Sequence, residues 1–410
     1  MKRTEVVIMG AGQSGLAMSR ELSLHGTDHL VLERGEAGNS WRHERWDGLT
    51  LLTPDWMNAL PGEDAPPSGG FSPAVAFADR LAEYADATAA PVQANTEVLS
   101  LRAHSDGYVI QTSDDAIYCK AVVIATGACA QPALPACAAA LPEWVHSVSP
   151  LSYKRPSDLP PGPVLVVGAS SSGQQIAREL HLSGRSVTLA VGSLVRVPRQ
   201  YRGADILAWM NASGLFDIPH YEVDDLERVR RTPSLALQGA APGTSLDLNA
   251  LQDLGVEIVG RLSAIRDEKA LFSGGLANAC AMADLKMNRL LDTIDTWIVS
   301  HGLNRLAPPP ERFEPTRVPA RPRLEVTFGA GGFQSVIWAT GYLPDHRFVA
   351  LPVFDAKRRI RHDGGVVIPG LCVMGLPYLR CRRSTFISGA GADAAALVPH
   401  LLERARCAAV

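Results

Sequence analysis

Several classes of protein are excluded by what this sequence lacks. It has no run of about 18 apolar residues, the length that a membrane-spanning helix requires. Its 39 basic residues do not outnumber its 42 acidic ones, and a net charge of −3 offers no positive surface to a nucleic acid. The amino terminus passes from two basic residues straight into a strand pattern, without the small-residue cleavage site of a secretory signal. We therefore expect a cytoplasmic protein that binds neither membrane nor nucleic acid.

Cysteine is sparse and its spacing is irregular. The sequence has seven cysteines, an odd number, and no Cys-x-x-Cys pair that would indicate a zinc site or a redox dithiol. Residues 1–118 contain none, so a redox dithiol near the amino terminus is excluded. No cluster of His, Asp and Glu has metal-ligand spacing, and no metal is expected. The cysteines are expected to be reduced and structural.

What the sequence does contain is the same pattern twice. A buried-strand run at 5–9, a helical pattern at 13–25 and a second strand at 29–33 form one βαβ unit. A second such unit follows a Pro-rich connector, with a strand at 164–167, a helix at 173–183 and a strand at 186–191. At 410 residues the chain is too long for one core. The repeat predicts an α/β protein with two Rossmann-like domains.

Two Pro-rich stretches suggest where the chain passes between these domains. They lie at 154–163 and 316–323. A strand pattern at 324–342 resembles the strand pattern at 117–124, which comes before the first of these stretches. We expect the second domain to be inserted into the first. The predicted limits are 1–155 for the first part of one domain, 156–320 for the inserted domain, and 321–410 for the remaining part of the first.

The first glycine turn has the spacing of a dinucleotide-binding site. Gly10, Gly12 and Gly15 form G-x-G-x-x-G directly between a strand and a helix. In such a turn the first glycine allows a tight bend, the second lets a pyrophosphate approach, and the third lets the helix pack on the sheet. Glu33 ends the next strand, where a carboxylate can accept hydrogen bonds from a ribose diol. The turn is predicted to hold FAD.

The second turn differs from the first in two ways. Gly168 and Gly173 stand where expected, but Ser170 replaces the middle glycine. The following strand ends without an acidic residue and is followed by Ser193, Arg196 and Arg199. Arginine binds a 2′-phosphate through paired charge-assisted hydrogen bonds, whereas a carboxylate repels it. The second turn is therefore predicted to bind NADPH, with Arg202 and Tyr201 as a further clamp.

Further segments give the sequence a family resemblance. They are an ATG triplet at 125–127, IWATGY at 337–342, and a loop at 38–62 that contains Trp41-Arg42, Trp46-Asp47 and Thr53-Pro54. With the two turns, these segments make the chain resemble the flavoproteins that have two dinucleotide-binding domains. Within them it is most similar to the class B flavin monooxygenases, which include the flavin-containing monooxygenases, plant YUCCA enzymes and bacterial relatives.

The resemblance implies roles for residues outside the turns. Trp41 and Arg42 would lie along the flavin, Asn58 would hydrogen-bond a flavin hydroperoxide, and Gly389 and Gly391 would let a closing helix approach the ring. Asn58 and Arg42 are the predicted catalytic residues. The predicted cofactor-binding residues are Gly10, Gly12, Ser14, Gly15, Glu33, Arg34, Trp41, Arg42, Trp46, Thr126, Gly127, Gly168, Ser170, Ser172, Gly173, Ser193, Arg196, Arg199, Thr340, Gly341, Gly389 and Gly391.

One motif of the family is altered. The Phe-x-Gly-x-x-x-His fingerprint before the second turn is degenerate in two registers. If His146 is the histidine, Ala140 and Pro142 replace the aromatic residue and the glycine. If Tyr153 is aligned instead, Ser149 replaces the histidine.

Two enzymatic functions remain open from the sequence, beside a non-catalytic redox-sensing or binding protein that uses FAD structurally. The first is an NADPH-dependent monooxygenase that oxygenates a small molecule at nitrogen, sulfur or a carbon next to a carbonyl, with molecular oxygen as co-substrate. The second is an FAD-dependent reductase or oxidase that passes electrons to a quinone or to oxygen without inserting an atom. A homodimer is left open.

Overall fold

The computed structural model describes residues 2–65, 69–239 and 246–406. Within these ranges no helix has the length and apolar character needed to cross a membrane. The six cysteines in them are free thiols, and Cys407 lies outside the described residues. The helices in chain order are α1 (Gln13–Leu24), α2 (Asn39–His43), α3 (Ala74–Ala87), α4 (Ser171–Leu182), α5 (Ile206–Ala212), α6 (Leu226–Arg230), α7 (Leu248–Leu254), α8 (Leu276–Ser300) and α9 (Ala390–Arg406).

The strands fall into two main sheets and three small ones. In chain order they are β1 (Lys2–Met9), β2 (His29–Leu32), β3 (Val92–Gln93), β4 (Val98–His104), β5 (Gly107–Thr112), β6 (Ala116–Ile124), β7 (Gln131–Pro132), β8 (His146–Val148), β9 (Val164–Val167), β10 (Val187–Val191), β11 (Gln200–Tyr201), β12 (Ala204–Asp205), β13 (Glu257–Gly260), β14 (Leu262–Arg266), β15 (Lys269–Phe272), β16 (Glu325–Thr327), β17 (Ser335–Trp338), β18 (Tyr342–Leu343), β19 (Val366–Ile368) and β20 (Leu371–Val373).

The first sheet has the order β19-β20-β6-β1-β2-β3, with β4 and β5 joined to β6 as an antiparallel extension. Strands β20, β6, β1, β2 and β3 are parallel. Helices α1, α3 and α9 cover one face through an apolar core that includes Leu16, Phe77 and Leu397. We call this part of the molecule the first lobe. Because β20 and α9 come from the end of the chain, the first lobe is built from both ends of the sequence.

The second sheet, β13-β10-β9-β17-β8, is parallel throughout. Helices α4 and α7 pack on one face, and the antiparallel strands β14, β15 and β16 cover the other. We call this part the second lobe. The prediction of two Rossmann-like units, with the second inserted into the first, is confirmed. Buried parallel strands require helices or strands on both faces, which explains the continuous apolar runs in the sequence.

The two chain crossings between the lobes lie side by side. Strand β7 on the outward crossing pairs with β18 on the return crossing, through Tyr342 opposite Pro132. The second sheet begins with β8 and ends with β17, so by strand pairing the chain enters this lobe before residue 146 and leaves it after residue 338. The predicted limits at 155 and 320 both lie between the two crossings, within the second lobe. The Pro-rich stretches that suggested them run along the second lobe, and the division into domains stays a prediction.

Candidate functional site

The first glycine turn is closed toward the sheet and open on its other side. Gly10 has φ +104°, and a Cβ added there would lie 2.6 Å from the Ala125 carbonyl oxygen. A Cβ on Gly15 would lie 1.9 Å from the Gly10 carbonyl oxygen, so the start of α1 packs against the turn itself. Gly12 has an ordinary φ of −84°, and a Cβ added there would meet nothing within 4 Å. The open side is where a pyrophosphate would approach the amino terminus of α1.

Glu33 fastens the turn to the second strand. Its carboxylate accepts the backbone N–H of Ala11 at 2.8 Å and that of Gly35 at 3.2 Å. This places the carboxylate at the carboxyl end of β2, where the sequence predicts a ribose contact. Arg34 is turned away and pairs with Glu44, so the structure does not bring it to the turn.

One buried hydroxyl beside the first turn and one just before α9 lack a hydrogen-bond partner among the described residues. The Thr126 Cα lies 3.3 Å from the Cβ that Gly10 would carry, and its buried Oγ1 has no hydrogen-bond partner among the described residues. The buried Ser388 Oγ, just before α9, is also unpartnered within them. Buried hydroxyls are normally hydrogen-bonded, so such atoms favour a ligand that completes them. Gly127 adds to the open space, with φ +84° and nothing within 4 Å of an added Cβ.

A glycine that sequence reasoning missed borders the same turn. Gly375 follows β20 with φ +72°, and a Cβ there would lie 3.0 Å from the Ser14 Oγ of α1. Ser14, a predicted cofactor residue, therefore lies between the turn and the carboxyl-terminal part of the first lobe. The signal in the sequence was a glycine directly after an apolar run, as at Gly10.

The aromatic loop after β2 is divided between the lobes. The indole N–H of Trp41 donates to Gln13 at 3.1 Å, and its ring meets Phe77 edge to face at 5.1 Å. Arg42 pairs with Asp79 at 2.7 Å. Trp46 is only 4% exposed and packs in the core of the second lobe. The prediction that Trp46 is a cofactor-binding residue is therefore corrected, because its ring is enclosed by side chains of the second lobe.

Asn58 is buried and already hydrogen-bonded. Its side chain is 1% exposed, its carbonyl oxygen accepts the Thr53 hydroxyl at 2.6 Å, and its amide donates to the Thr53 backbone carbonyl at 3.2 Å. An asparagine amide has two hydrogens, so one remains for a further acceptor. Its predicted catalytic role stays a prediction.

The segment before α9 is held by close contacts within the protein. A Cβ on Gly389 would lie 2.1 Å from the Arg383 carbonyl oxygen, and one on Gly391 would lie 2.7 Å from the Pro61 ring. These glycines were predicted to let the helix approach the flavin. Among the described residues these glycines closely approach the Arg383 backbone and the Pro61 ring, and their approach to the flavin stays a prediction.

Asp393 lies in the first turn of α9 and is buried. It accepts the Ser384 hydroxyl at 3.1 Å, while the Arg380 guanidinium is 3.9 Å away. Burial is the main cause that raises the pKa of Asp393 to about 6, and the Ser384 hydrogen bond and Arg380 only partly oppose it. Near neutral pH this carboxyl is close to its titration point.

The second turn repeats the geometry of the first. Gly168 has φ +109°, and a Cβ there would lie 2.3 Å from the Ala339 carbonyl oxygen. A Cβ on Gly173 would lie 1.8 Å from the Gly168 carbonyl oxygen. Ser170 has φ −84° and ψ −171°, against −84° and −174° at Gly12. This backbone does not require glycine, so serine is accommodated without strain.

The second turn differs from the first in its neighbours. The Ser170 hydroxyl donates to the Ser234 carbonyl at 2.8 Å and lies 2.9 Å from the Ser234 hydroxyl. The Ser171 hydroxyl donates to the Leu237 carbonyl at 2.8 Å. We call residues 234–237, which hold these contacts, the covering segment. Two other predicted residues near this turn are also hydrogen-bonded within the protein. The Thr340 hydroxyl donates to the Ala133 carbonyl at 2.7 Å, and the Ser172 hydroxyl lies 3.3 Å from the Tyr342 hydroxyl. Gly341 differs, since it has φ +100° and a Cβ added there would meet nothing within 4 Å.

The predicted phosphate-binding arginines are committed elsewhere. Arg196 pairs with Asp247 and Asp284, each at 2.7 Å, and its side chain is 7% exposed. Arg199 pairs with Asp205 at 2.5 Å and is also buried. The prediction that these two bind the nucleotide is corrected, because a buried guanidinium bound to carboxylates is not free for a phosphate.

The predicted clamp is likewise part of the protein interior. Arg202 pairs with Asp295 at 3.0 Å, and the Tyr201 hydroxyl donates to the same carboxylate at 2.7 Å. Ser193 differs, since it is exposed at the end of β10 and accepts a hydrogen bond from Arg261 at 3.2 Å. Arg261 was missed by sequence reasoning, although it directly follows a recognisable strand.

The sequence is similar to several known oxidoreductases. Residues 7–203 match the pyridine nucleotide-disulphide oxidoreductase family. An uncharacterized CzcO-like oxidoreductase of Geobacillus kaustophilus is 29% identical over 97% of this chain and 98% of its own length. The indole-3-pyruvate monooxygenase YUCCA1 of Oryza sativa is 29% identical over 48% of this chain and 50% of its own.

The fold also has a solved counterpart. A flavin-containing monooxygenase from Stenotrophomonas maltophilia aligns with a TM-score of 0.65 and 20% identity over 98% of this chain and 99% of its own. The predicted resemblance to flavin monooxygenases and the predicted α/β fold are confirmed.

Proposed function

We propose that this chain, a flavoprotein oxidoreductase of the flavin monooxygenase type with two dinucleotide-binding domains, uses FAD and NADPH to insert one atom of molecular oxygen into a small molecule. The substrate atom is a soft nitrogen or sulfur, or a carbon next to a carbonyl. The observation that carries the proposal is a pair of turns with the same backbone, at Gly12 and at Ser170, in two lobes joined by the paired crossings. Two such turns provide for two dinucleotides.

The residues of the first lobe fit FAD. The open side of Gly12 leaves room for a pyrophosphate at the amino terminus of α1, Glu33 stands at the ribose position, and the unpartnered Thr126 hydroxyl can complete its hydrogen bond with the cofactor. When bound, FAD supplies the hydride-accepting and oxygen-reacting ring, so the protein has to bind, orient and exclude water. We assign the orientation of the cofactor to Trp41, whose ring is fixed by contacts with Gln13 and Phe77.

Exclusion of water is assigned to an apolar cluster between the lobes. Met57 of the first lobe is buried in it with Leu207 and Phe216 of the second, and Phe386 meets Phe216 at a centroid distance of 5.0 Å. Asn58 follows Met57 directly and is itself 1% exposed, so its amide is shielded from bulk water. Hydrogen bonds are stronger where water is excluded. Asn58 is therefore the residue we assign to holding the reacting oxygen.

The alternative is an NADPH oxidase or reductase that delivers electrons to oxygen or to a quinone without insertion. The internal hydrogen bonds of Asn58 to Thr53 favour it, because they occupy most of the amide.

The test separates flavin reduction from oxygen insertion. Purified FAD-loaded protein is mixed with NADPH without air, and bleaching of the visible flavin band is followed. Isotope-labelled oxygen is then admitted with a thioether, a tertiary amine, a ketone or indole-3-pyruvate. We expect bleaching, and labelled product in proportion to NADPH consumed for one probe class. Bleaching with hydrogen peroxide as the only oxygen product from every probe would favour the alternative, and no bleaching would overturn both.

A pair of variants tests the role of Asn58. Asn58→Ala is expected to leave flavin reduction by NADPH unchanged while diverting oxygen to hydrogen peroxide. Thr53→Ser keeps the hydroxyl that bonds Asn58 and serves as the matched control with normal coupling. Equal coupling in the two variants would remove Asn58 from the proposal.

A further inference from the structure

We infer that Arg261, with Lys286, forms the subsite that receives the 2′-phosphate of NADPH and so selects NADPH over NADH. The inference rests on the proposed function and deepens it, because it assigns nucleotide selectivity to a residue that reaches over from a neighbouring strand. It also replaces Arg196 and Arg199, which the sequence predicted for this role.

The subsite is a surface cavity of about 380 Å³ at the carboxyl ends of two adjacent parallel strands. Strand β10 ends at Val191 and strand β13 at Gly260, and the first turns of α8 form the far side. In a Rossmann unit the adenosine ribose lies at the end of the second strand, which is β10 here. The lining residues that matter for nucleotide binding are Gly192, Ser193, Arg261 and Lys286.

The charge of this cavity is positive. Its lining contains Arg261 and Lys286 and no carboxylate. Both cations are exposed, and neither forms an ion pair within the described part of the chain. Arg196, which follows the end of β10 in the sequence, is held between two carboxylates. Of the arginines around the end of β10, Arg261 is the one whose charge is not already neutralised by a neighbour.

Geometry places the free guanidinium at the ribose position. Its Nη2 donates to the Ser193 hydroxyl at 3.2 Å, and a Cβ on Gly192 would lie 3.4 Å from its Nε. Gly192 therefore leaves the guanidinium directly against the end of β10, where an NADH-binding protein would carry an acidic side chain. A guanidinium and a serine hydroxyl can both donate to one phosphate, and Lys286 adds a point charge.

The test is a binding measurement on the FAD-loaded protein. Dissociation constants of 2′,5′-ADP and 5′-AMP, which differ only in the 2′-phosphate, are measured by calorimetry for the parent protein and for Arg261→Ala and Lys286→Ala. Arg266→Ala is the matched control, since Arg266 is an exposed arginine that ends the adjoining strand β14. Inorganic phosphate is titrated as a separate arm.

We expect the parent to bind 2′,5′-ADP more tightly than 5′-AMP. Arg261→Ala should weaken 2′,5′-ADP by about tenfold or more, because a charge-assisted hydrogen bond is lost, and should leave 5′-AMP unchanged. Lys286→Ala should weaken 2′,5′-ADP by a smaller factor, and Arg266→Ala should change neither. Weaker binding of inorganic phosphate to Arg261→Ala than to the parent would also support the subsite.

Three results would overturn the inference. If Arg261→Ala binds 2′,5′-ADP as the parent does, the phosphate lies elsewhere, while the proposed function stands. If Arg261→Ala weakens both nucleotides equally, Arg261 has only a structural role. If the parent binds neither nucleotide, use of NADPH falls and the subsite falls with it.

Discussion

The two glycine turns have the same backbone and opposite surroundings. At Gly12 the direction of a side chain is empty, whereas at Ser170 the side chain is present and hydrogen-bonded to the covering segment. The two ATG segments repeat the contrast, because the Thr126 hydroxyl is unpartnered among the described residues and the Thr340 hydroxyl is satisfied by Ala133. The same turn is therefore filled by protein hydrogen bonds in the second lobe but, among the described residues, not in the first.

The contrast is understandable if the two nucleotides have different lifetimes on the protein. A nucleotide-binding site with an unpartnered buried hydroxyl is stabilised when a ligand accepts or donates that hydrogen bond, since an unsatisfied buried polar group costs about 1–3 kcal/mol of folding free energy. A cradle whose hydroxyls are bonded to the protein loses little when its ligand leaves. We therefore assign a resident FAD to the first lobe and an exchanging NADPH to the second.

The largest expected effect comes from substituting the last glycine of each turn, Gly15 or Gly173. Gly15→Ala and Gly173→Ala each place a Cβ within 2 Å of a backbone carbonyl in the same turn, at 1.9 and 1.8 Å. Each should lower the free energy of unfolding by about 3 kcal/mol or more, because the helix must move off the sheet. Chemical denaturation and flavin content are measured on both.

Only the Gly15 variant should lose its flavin after purification. Equal flavin contents in the two variants would contradict the assignment of FAD to the first lobe.

The lobes also differ in how their buried and half-buried carboxylates are paired with arginines. Asp247 and Asp205 of the second lobe each face an arginine within 3 Å, whereas the nearest arginine to Asp393 of the first lobe is 3.9 Å away. Burial raises the pKa of Asp393 from 3.8 to about 6, so the folded protein holds this proton more tightly than the unfolded chain does. The stability that the folded protein gains by holding this proton is therefore lost as the pH rises from about 4 to about 6, and it stays lost above that range.

Asp393→Asn should remove this pH dependence. The difference in unfolding free energy between variant and parent is expected to shift in favour of the variant by up to about 3 kcal/mol between pH 4 and pH 7. Denaturant unfolding across this range measures it. Ser384→Ala, which removes the hydrogen bond that favours the charged form, is the control and should steepen the dependence. Parallel profiles for parent and Asp393→Asn would contradict the pKa assignment.

A smaller effect is expected when the first turn is given the side chain of the second. Gly12→Ser meets no atom within 4 Å and needs no unusual φ, and serine is favoured at a helix N-cap, so apoprotein stability should change by less than about 0.5 kcal/mol. Affinity for FAD should fall by about tenfold or more, because the side chain enters the path of the pyrophosphate. Flavin fluorescence titration of the apoprotein measures it, and unchanged affinity would show that the pyrophosphate does not lie at Gly12.

Local patterns made the turns and sheets predictable. The strand, glycine turn and helix around Gly10 lie within a few residues of one another, so their sequence spacing already describes their geometry. The same is true of Gly168 and Gly173 in the second lobe. Long-range partners were not readable in this way, because Arg196 meets Asp247 and Asp284 only after the insertion has folded.

Residues that act across an interface were misjudged for the same reason. Trp46 lies in the loop at 38–62 that follows β2, but its ring packs in the core of the second lobe. Arg261 reaches the end of β10 from the neighbouring strand β13, a contact that depends on strand order. A rule that reads only the residues directly after the second strand finds Ser193 and misses its partner.

The smallest effect is the most informative, because it asks what Ser170 does. If the covering segment must loosen before a nucleotide can enter, NADPH binding has to break the hydrogen bonds between Ser170 and Ser234. Ser170→Gly should then raise the affinity of the FAD-loaded protein for NADPH by about threefold, at a loss of about 0.5–1 kcal/mol in stability from the missing hydrogen bonds. Ser234→Ala keeps the backbone carbonyl bond and should give an intermediate affinity. Weaker NADPH binding in Ser170→Gly would mean instead that the Ser170 hydroxyl contacts the nucleotide. The second turn would then bind its nucleotide directly, without loosening of the covering segment.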